Sequence, residues 1–463
     1  MNKFLDKLKT TCCWVGFLWV TVVLVTGCQK DEKENYKDTN EFVQQIMYFI
    51  YYWNDKIDSK LGSSDAFLPV PAHTKPNEYF ASLLYDAKMA PSGSMEYDRW
   101  SFMIDYKEFN DVLVVGEYKS FGYFLAQAPD YSIRVCFVYE GSPMDKAGIE
   151  RGYELQRLNG TDVMTLIGNK TINTELNKES NRFVFADREG KVMPEKTISK
   201  AVVKIDPILF KDTYTINEKK VGYIVYNTFI TASKGAISSA LQEFSDVDEL
   251  VFDLRYNGGG DVDVADAICE HLLPASVGTD SVVFAKYMYS ERTNLYSKEI
   301  GLKDEVRKIK RNKNALNLSR LFVIVSDMTA SASEEVINSM KPFVDEIIIV
   351  GSPTEGKPVG MVVVSDKEKN PQWAIAPITF RIDNINGEGS YFSGISPTYA
   401  VSDDLYHNFG VDPQTLEGEA CLEAVLSYIQ SDFLPASVSA KSVEKVIPRV
   451  IRLKGIQIHA GCF

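Results

Sequence analysis

An α/β fold built on a layered, mainly parallel sheet, preceded by a β-rich segment and a small helical one, is what this chain predicts, and three observations carry it. From Leu321 to Gly360 an apolar run (Leu321 to Val325) gives way to small residues, a helical segment from Glu334, a second apolar run (Ile347 to Val350) and a Gly/Pro-rich turn carrying Lys357. Val221 to Ile230, Lys234 to Phe244 and Glu249 to Arg255 repeat the strand, helix, strand alternation that places parallel strands side by side. Composition agrees: 463 residues, 45% hydrophobic and 24% charged, suit a globular chain of roughly two to four domains. A net charge of −13 argues against nucleic acid as a partner, because no basic patch is available to neutralise phosphates.

In chain order, Lys3, Lys7 and Lys9 precede an apolar run from Cys12 to Val25 that ends in Leu24-Val25-Thr26-Gly27-Cys28. Basic, apolar and small-residue parts in that order make residues 1–27 an export signal. The ending resembles a bacterial lipoprotein box, which implies lipid on Cys28, membrane contact through that anchor, and an outer-membrane lipoprotein on the periplasmic or cell-surface face. The competing reading is an uncleaved membrane anchor, for which the run is short against the ~20 residues of a spanning helix. Residues 28–40 are charged and Gly-free, a solvated tether whose start, Gln29-Lys30-Asp31-Glu32, resembles the acidic export signals of Bacteroidetes surface lipoproteins. From 41 to 107, apolar residues at helical spacing on both sides of Pro69, Pro71 and Pro76 predict a small helical domain.

Residues 108–206 are β-rich, with Asn159-Gly160 as a tight turn. The SFGYFLAQ stretch from Ser120 and the punctuation of Gly141-Ser142-Pro143, Ala147-Gly148, Gly152 and Asn159-Gly160 resemble a PDZ domain. The resemblance implies that Phe121, Gly122 and Tyr123 form a peptide-binding loop and that a polypeptide adds as a strand to the sheet edge. A closed β-domain that binds nothing is the alternative, and Gly168 to Lys200 is left open between helix and insertion.

Residues 207–433 form the predicted core, in which Ser331 follows one strand and Lys357 the next. Adjacent parallel strand ends lie roughly 5 Å apart, and ligands collect at their carboxyl ends. A serine hydroxyl becomes nucleophilic when a base takes its proton, and a desolvated lysine is able to do so. A helix starting at the serine aims N–H groups at a developing oxyanion. The same residues also suit ordinary capping, with Ser331 or Ser333 as N-cap and Glu334 or Glu335 in the first turn. Gly258, Gly259 and Gly260 end another strand with free N–H groups fit for an oxyanion hole; a phosphate cradle would need the lysine and hydroxyl of a P-loop.

Together Asp253-Leu254-Arg255, Asn257-Gly258-Gly259, Ser331-Ala332-Ser333-Glu334 and Pro353-Thr354 with Gly356-Lys357 resemble the carboxy-terminal-processing, or tail-specific, serine peptidases. The resemblance implies a crotonase-like layered core, with Ser331 as nucleophile and Lys357 as general base. It further implies an oxyanion hole from Gly258 or Gly259 with Ala332, support from Glu334 and Thr354, and no cofactor or metal. The implied activity is a serine endopeptidase acting on exported proteins or peptides that the PDZ-like domain captures. The chain departs from the family in Pro358, which follows the lysine where glycine is often found, and in having no clear partner for an aspartate of the family's helix. The alternative function is a catalytically inactive peptide-binding surface lipoprotein, against which the presence of both Ser331 and Lys357 weighs. Nothing in the sequence speaks to oligomeric state.

The charge-rich stretch Tyr287 to Leu316 predicts a solvated excursion, Val359 to Ser365 and Trp373 to Asp383 predict strands, and Cys421 to Gln430 a closing amphipathic helix. Cys136 and Cys421 lie in apolar patterns that suit buried free thiols, with disulfides as the alternative. None of the four histidines has metal spacing, and each is read as structural, His271 on the helix after the glycine loop included, though it lies nearest to a site. Residues 434–463 are a tail without recognisable punctuation.

Overall fold

The computed structural model describes residues 34–302 and 306–433. The leader, Cys28 and the tail from 434 lie outside the described residues. Two compact units emerge: one takes the chain up to Phe109 with Lys286–Arg307 and Val359–Ile382, the other Asn110–Ala285, Lys308–Pro358 and the chain from Asp383.

The first unit is built on the helix Lys37–Ile50, whose Val43, Ile46, Met47, Phe49 and Ile50 are buried along one face. This helix starts earlier than the tether reading places it, because Asn40 is fully buried and donates to the carbonyls of Pro71 and Thr74. The helix Pro76–Leu83, opened by a proline at its start, packs against it. Strand Trp373–Ala376 pairs antiparallel with Phe102–Asp105. The stretch from Tyr287 to Leu316 is not a solvated excursion: it holds the helix Glu291–Tyr296 and parts of the strands Ser281–Tyr289 and Val306–Lys310. Its charges hide a period of two, since Arg307 and Ile309 point inward while Val306, Lys308 and Lys310 are exposed. The Arg307 guanidinium lies 5.4 Å from the Tyr287 ring centroid.

The second unit begins with the β-rich segment, made of β1 (Glu117–Ser120), β2 (Tyr123–Gln127), β3 (Ile133–Val138), β4 (Glu154–Leu158), the short helix α1 (Val163–Gly168), β5 (Ser180–Ala186), β6 (Lys196–Ser199) and β7 (Ala201–Lys204). Its main sheet runs β6-β5-β4-β3-β2, which leaves β2 at an edge, and β7 pairs with β1. The polar stretch between Gly168 and Lys200 therefore contributes two strands to this sheet and a short helix, Ile172–Leu176, before them. One face closes over Phe121, Leu125, Val135, Leu155, Phe183 and Leu166. The other carries Ala126, Cys136 and Phe137 onto Ile230, Tyr256 and Leu405 of the following layers.

Those layers are formed by β8 (Ile208–Ile216), β9 (Lys219–Tyr226), α2 (Lys234–Glu243), β10 (Glu249–Asp253), α3 (Val262–Leu272), β11 (Arg320–Val325), α4 (Ala332–Met340), β12 (Glu346–Gly351), β13 (Tyr399–Ala400) and α5 (Ala420–Ser431). The sheet order is β8-β9-β10-β11-β12-β13; β8 is antiparallel to β9 and the rest are parallel. Val225, Val251, Phe322, Ile324, Ile348 and Val350 pack under α5. Alternate residues such as Ile224, Phe252 and Val323 point the other way and are equally buried. Burying both sides explains why these strands read as continuous apolar runs.

Candidate active site

The carboxyl ends of β10, β11 and β12 lie side by side, so the loops after them converge. Each loop is tied to its neighbour by groups that also fix the chain direction. Thr329 Oγ1 donates to Leu254 O (2.8 Å), and Ser326 Oγ donates to Arg255 O. Asn257 is the centre of the glycine loop: its Nδ2 donates to Tyr226 O (2.9 Å), and its carbonyl accepts from Ala330 N (3.1 Å) and Ser333 Oγ (3.0 Å). Its Oδ1 accepts the N–H of Gly259 (2.9 Å). Of the glycine amides implied by the sequence resemblance, that of Gly259 is thus already engaged. Gly259 has φ +96°, and a Cβ there would sit 2.7 Å from both Ala330 O and Ser331 Cβ, so only glycine lets the loop approach Ser331 this closely.

Ser331 immediately precedes α4 with φ +56° and ψ −120°, a conformation that residues with a Cβ rarely adopt. The surroundings hold it there. Glu334 is completely buried and binds both loops at once: Oε2 accepts from Ser331 N (3.0 Å) and Lys357 N (2.8 Å), Oε1 from Thr354 Oγ1 (2.5 Å) and Gly356 N (2.8 Å). Burial pushes the Glu334 carboxyl up to about 7, against the opposing pull of these four donors. Thr354 in turn receives Ile395 N on its Oγ1 (2.7 Å) and donates its own N–H to Ile395 O (3.1 Å). Lys357 is 1% exposed, Thr354 is buried, and Ser331 is 9% exposed.

Beneath the glycine loop lies a buried ionic network. Arg255, 1% exposed, donates to Asp253 (2.7 Å), to Glu419 (2.5 and 2.6 Å) and to Asp403 (3.1 Å). Burial works against its charge, but the carboxylates of Asp253 and Glu419 hold it firmly protonated. Arg151 of the β-rich segment reaches the same network, donating to Tyr256 OH (2.5 Å), Asp403 (2.9 Å), Cys136 O (2.8 Å) and His407 O (2.9 Å). Of these residues only Asp253 and Arg255 stood in a recognisable motif. His271 is buried in the last turn of α3 and meets Asn312. Cys136, Cys269 and Cys421 are buried free thiols.

With this geometry in hand, comparison with known proteins is informative. The family model described as Peptidase family S41 matches residues 220–401, and that of the Peptidase S41 N-terminal domain matches residues 38–102. This chain belongs to peptidase family S41. The stretch that the first of these models matches contains the glycine loop, Ser331, Glu334, Thr354 and Lys357. A crystal structure of a candidate S41 protease from Bacteroides fragilis has the same fold, with TM-score 0.62 and 22% identity over 85% of this chain and 97% of its own. A photosystem II D1 C-terminal processing protease aligns at TM-score 0.49 and 18% identity, covering 86% of this chain and 98% of its own. No curated protein sequence matches the chain.

Proposed function

We propose that this S41 peptidase is a serine endopeptidase in which Ser331 is the nucleophile and Lys357 the general base. The observation that carries the reading is the Ser331 backbone, held at positive φ where three loops meet. Strain of that kind persists when the surroundings enforce it, and it aims a side chain out of a turn. The Ser331 hydroxyl attacks the scissile carbonyl as Lys357 takes its proton. The oxyanion is met by the amides of Gly258 and Ala332, with the N-terminal end of α4 adding its dipole. Lys357 passes that proton to the departing amine and, neutral again, takes a proton from the water that attacks the acyl-enzyme, then returns it to Ser331 Oγ as the acid is released. Glu334 acts through others, locking the Ser331 turn to the Lys357 loop.

The β-rich segment, in this reading a PDZ-like domain, captures the polypeptide at the open edge of β2, and the layered sheet behind it is the crotonase-like core. The leader reading adds a lipid anchor on Cys28 and an outer-membrane location. Hydrolysis of dye-labelled unfolded casein is the test. Ser331→Ala and Lys357→Ala are each expected to lose about a thousandfold in rate. Full hydrolysis by Ser331→Ala would refute the assignment.

A further inference from the structure

Resting on the peptidase reading, we infer that the chain carries a second site for its substrate, an aromatic cavity at the open edge of β8 that receives an arginine or lysine side chain. Among the described residues β8 has β9 on one side and no strand on the other. Its Phe210, Asp212 and Tyr214 form one wall of a cavity of about 260 Å³, and the turn from His407 to Gly418 forms the other. Hydrogen bonds hold that turn at several points. Val411 pairs with Gly418, Asp412 N donates to Glu417 O (2.9 Å), and Val411 N donates to the Tyr214 hydroxyl (3.3 Å). The next residue, Glu419, donates its N–H to Gly410 O (3.3 Å) and binds Arg255 through its carboxylate, so the cavity is tied to the network beneath the glycine loop.

The lining sorts into rings and acids. Phe210, Tyr214 and Phe409 supply aromatic faces, and Asp212, Asp412 and Glu417 supply carboxylates. Among the described residues none of these three acids is in an ion pair: Lys211, next to Asp212, is held by Glu243 (2.5 Å), and Arg151, 4.4 Å from the Phe409 ring centroid, is paired with Asp403 (2.9 Å). His407 turns its Nδ1 to Asp404 (2.9 Å). The amides of Thr415 and Gln414 hold the Asp412 carboxyl below its ordinary range, and burial pushes the Tyr214 hydroxyl up to about 12. At neutral pH the cavity thus presents negative charge beside neutral rings. A guanidinium or ammonium satisfies both at once, through the ring faces and the carboxylates, whereas an anion is repelled. The edge of β8 selects a polypeptide as its bearer, because an extended chain pairs with free backbone groups there. β8 runs antiparallel to β9, so its first residues lie at the end of the sheet that carries Ser331. Three strand spacings, roughly 14 Å, separate β8 from β11, a span that about four extended residues cover.

The full chain carrying Ser331→Ala, so that nothing is cleaved, is titrated into fluorescein-labelled decapeptides that differ at one central position, Arg, Lys, Gln or Glu, and anisotropy is read in low and in high salt. The Arg peptide is expected to bind at least about fivefold tighter than the Gln peptide and to lose most of that preference in high salt. Asp412→Asn together with Glu417→Gln, isosteric changes at exposed positions, should bring the Arg and Gln peptides to the same affinity. With Ser331 intact, the preference should reappear as a lower KM at unchanged kcat for the Arg peptide. Equal binding of the Arg and Gln peptides, or a preference that survives the double substitution, would overturn the inference. So would a dimer that the double substitution dissociates in sedimentation, or an Arg preference that emerges only once residues 434–463 are removed, since the occupant would then be a second copy or the chain's own tail. An Arg preference in binding with no peptide cleaved would keep the site and remove the peptidase reading instead.

Discussion

If Ser331 is the nucleophile proposed, it holds the conflict between stability and chemistry in one backbone angle. Its φ of +56° costs on the order of 1–3 kcal/mol, and glycine would adopt it without that penalty. Ser331→Gly and Ser331→Ala both lack the hydroxyl and should be equally inactive, yet the glycine variant should melt at a higher temperature than the alanine variant by a few degrees. Equal melting temperatures in calorimetry would mean that the turn is not strained. The same residue shows where sequence reading stops. Ser-Ala-Ser-Glu at the start of a helix fits ordinary capping as well as it fits a nucleophile. The folded chain keeps the capping box, with Glu334 accepting the Ser331 N–H, and adds to it a positive φ and the approach of Gly259 from 72 residues away, neither of which is a local signal.

At the scale of elements, two buried acids act as joints. Glu334 joins α4 to the loop after β12, and it needs its charge to accept four donors. Its carboxyl sits at about 7 in the folded chain against 4.5 ordinarily. Between these values the folded state binds a proton that the unfolded state does not. Its stability contribution is therefore complete below about pH 4.5 and is lost as pH rises through 7. Activity should move oppositely: below pH 7 the protonated carboxyl gives up an acceptor, the joint loosens, and kcat falls. Glu334→Gln should be at least about tenfold slower at pH 8 and should flatten the dependence of the unfolding midpoint on pH between 5 and 8; an unchanged slope would remove Glu334 as its source. The second joint is Glu419, which caps α5 through Cys421 N and Leu422 N while binding Arg255. Arg255→Met leaves Asp253 and Glu419 buried without their partner, and urea denaturation should report a loss of about 3–5 kcal/mol.

Across the whole chain, the alternation of strands and helices was legible because it rests on periodicities within ten or so residues. The Ser331 and Lys357 loops were legible because each lies in a compact motif. Asp403 and Glu419 were not: they are single acids 148 and 164 residues from Arg255, and no local pattern marks them. The stretch after Tyr287 was misjudged because charge masked a strand's alternation. Arg151 is another long-range contact, and it makes the β-rich segment and the sheet behind it share one polar core. Arg151→Met should speed hydrogen exchange near Cys136 and around Tyr256 together, while amides in β8 keep their protection; acceleration on one side alone would mean that the two are independent. The convergence of distant loops also has a bearing on the life of the chain before it is finished. The Ser331 turn is synthesised before Lys357, and the Ile395 amide that steadies Thr354 comes later still. If Ser331 and Lys357 act as proposed, a nascent chain holding the serine without its clamp lacks the assembled site, and peptidase activity waits for the last layer of the sheet.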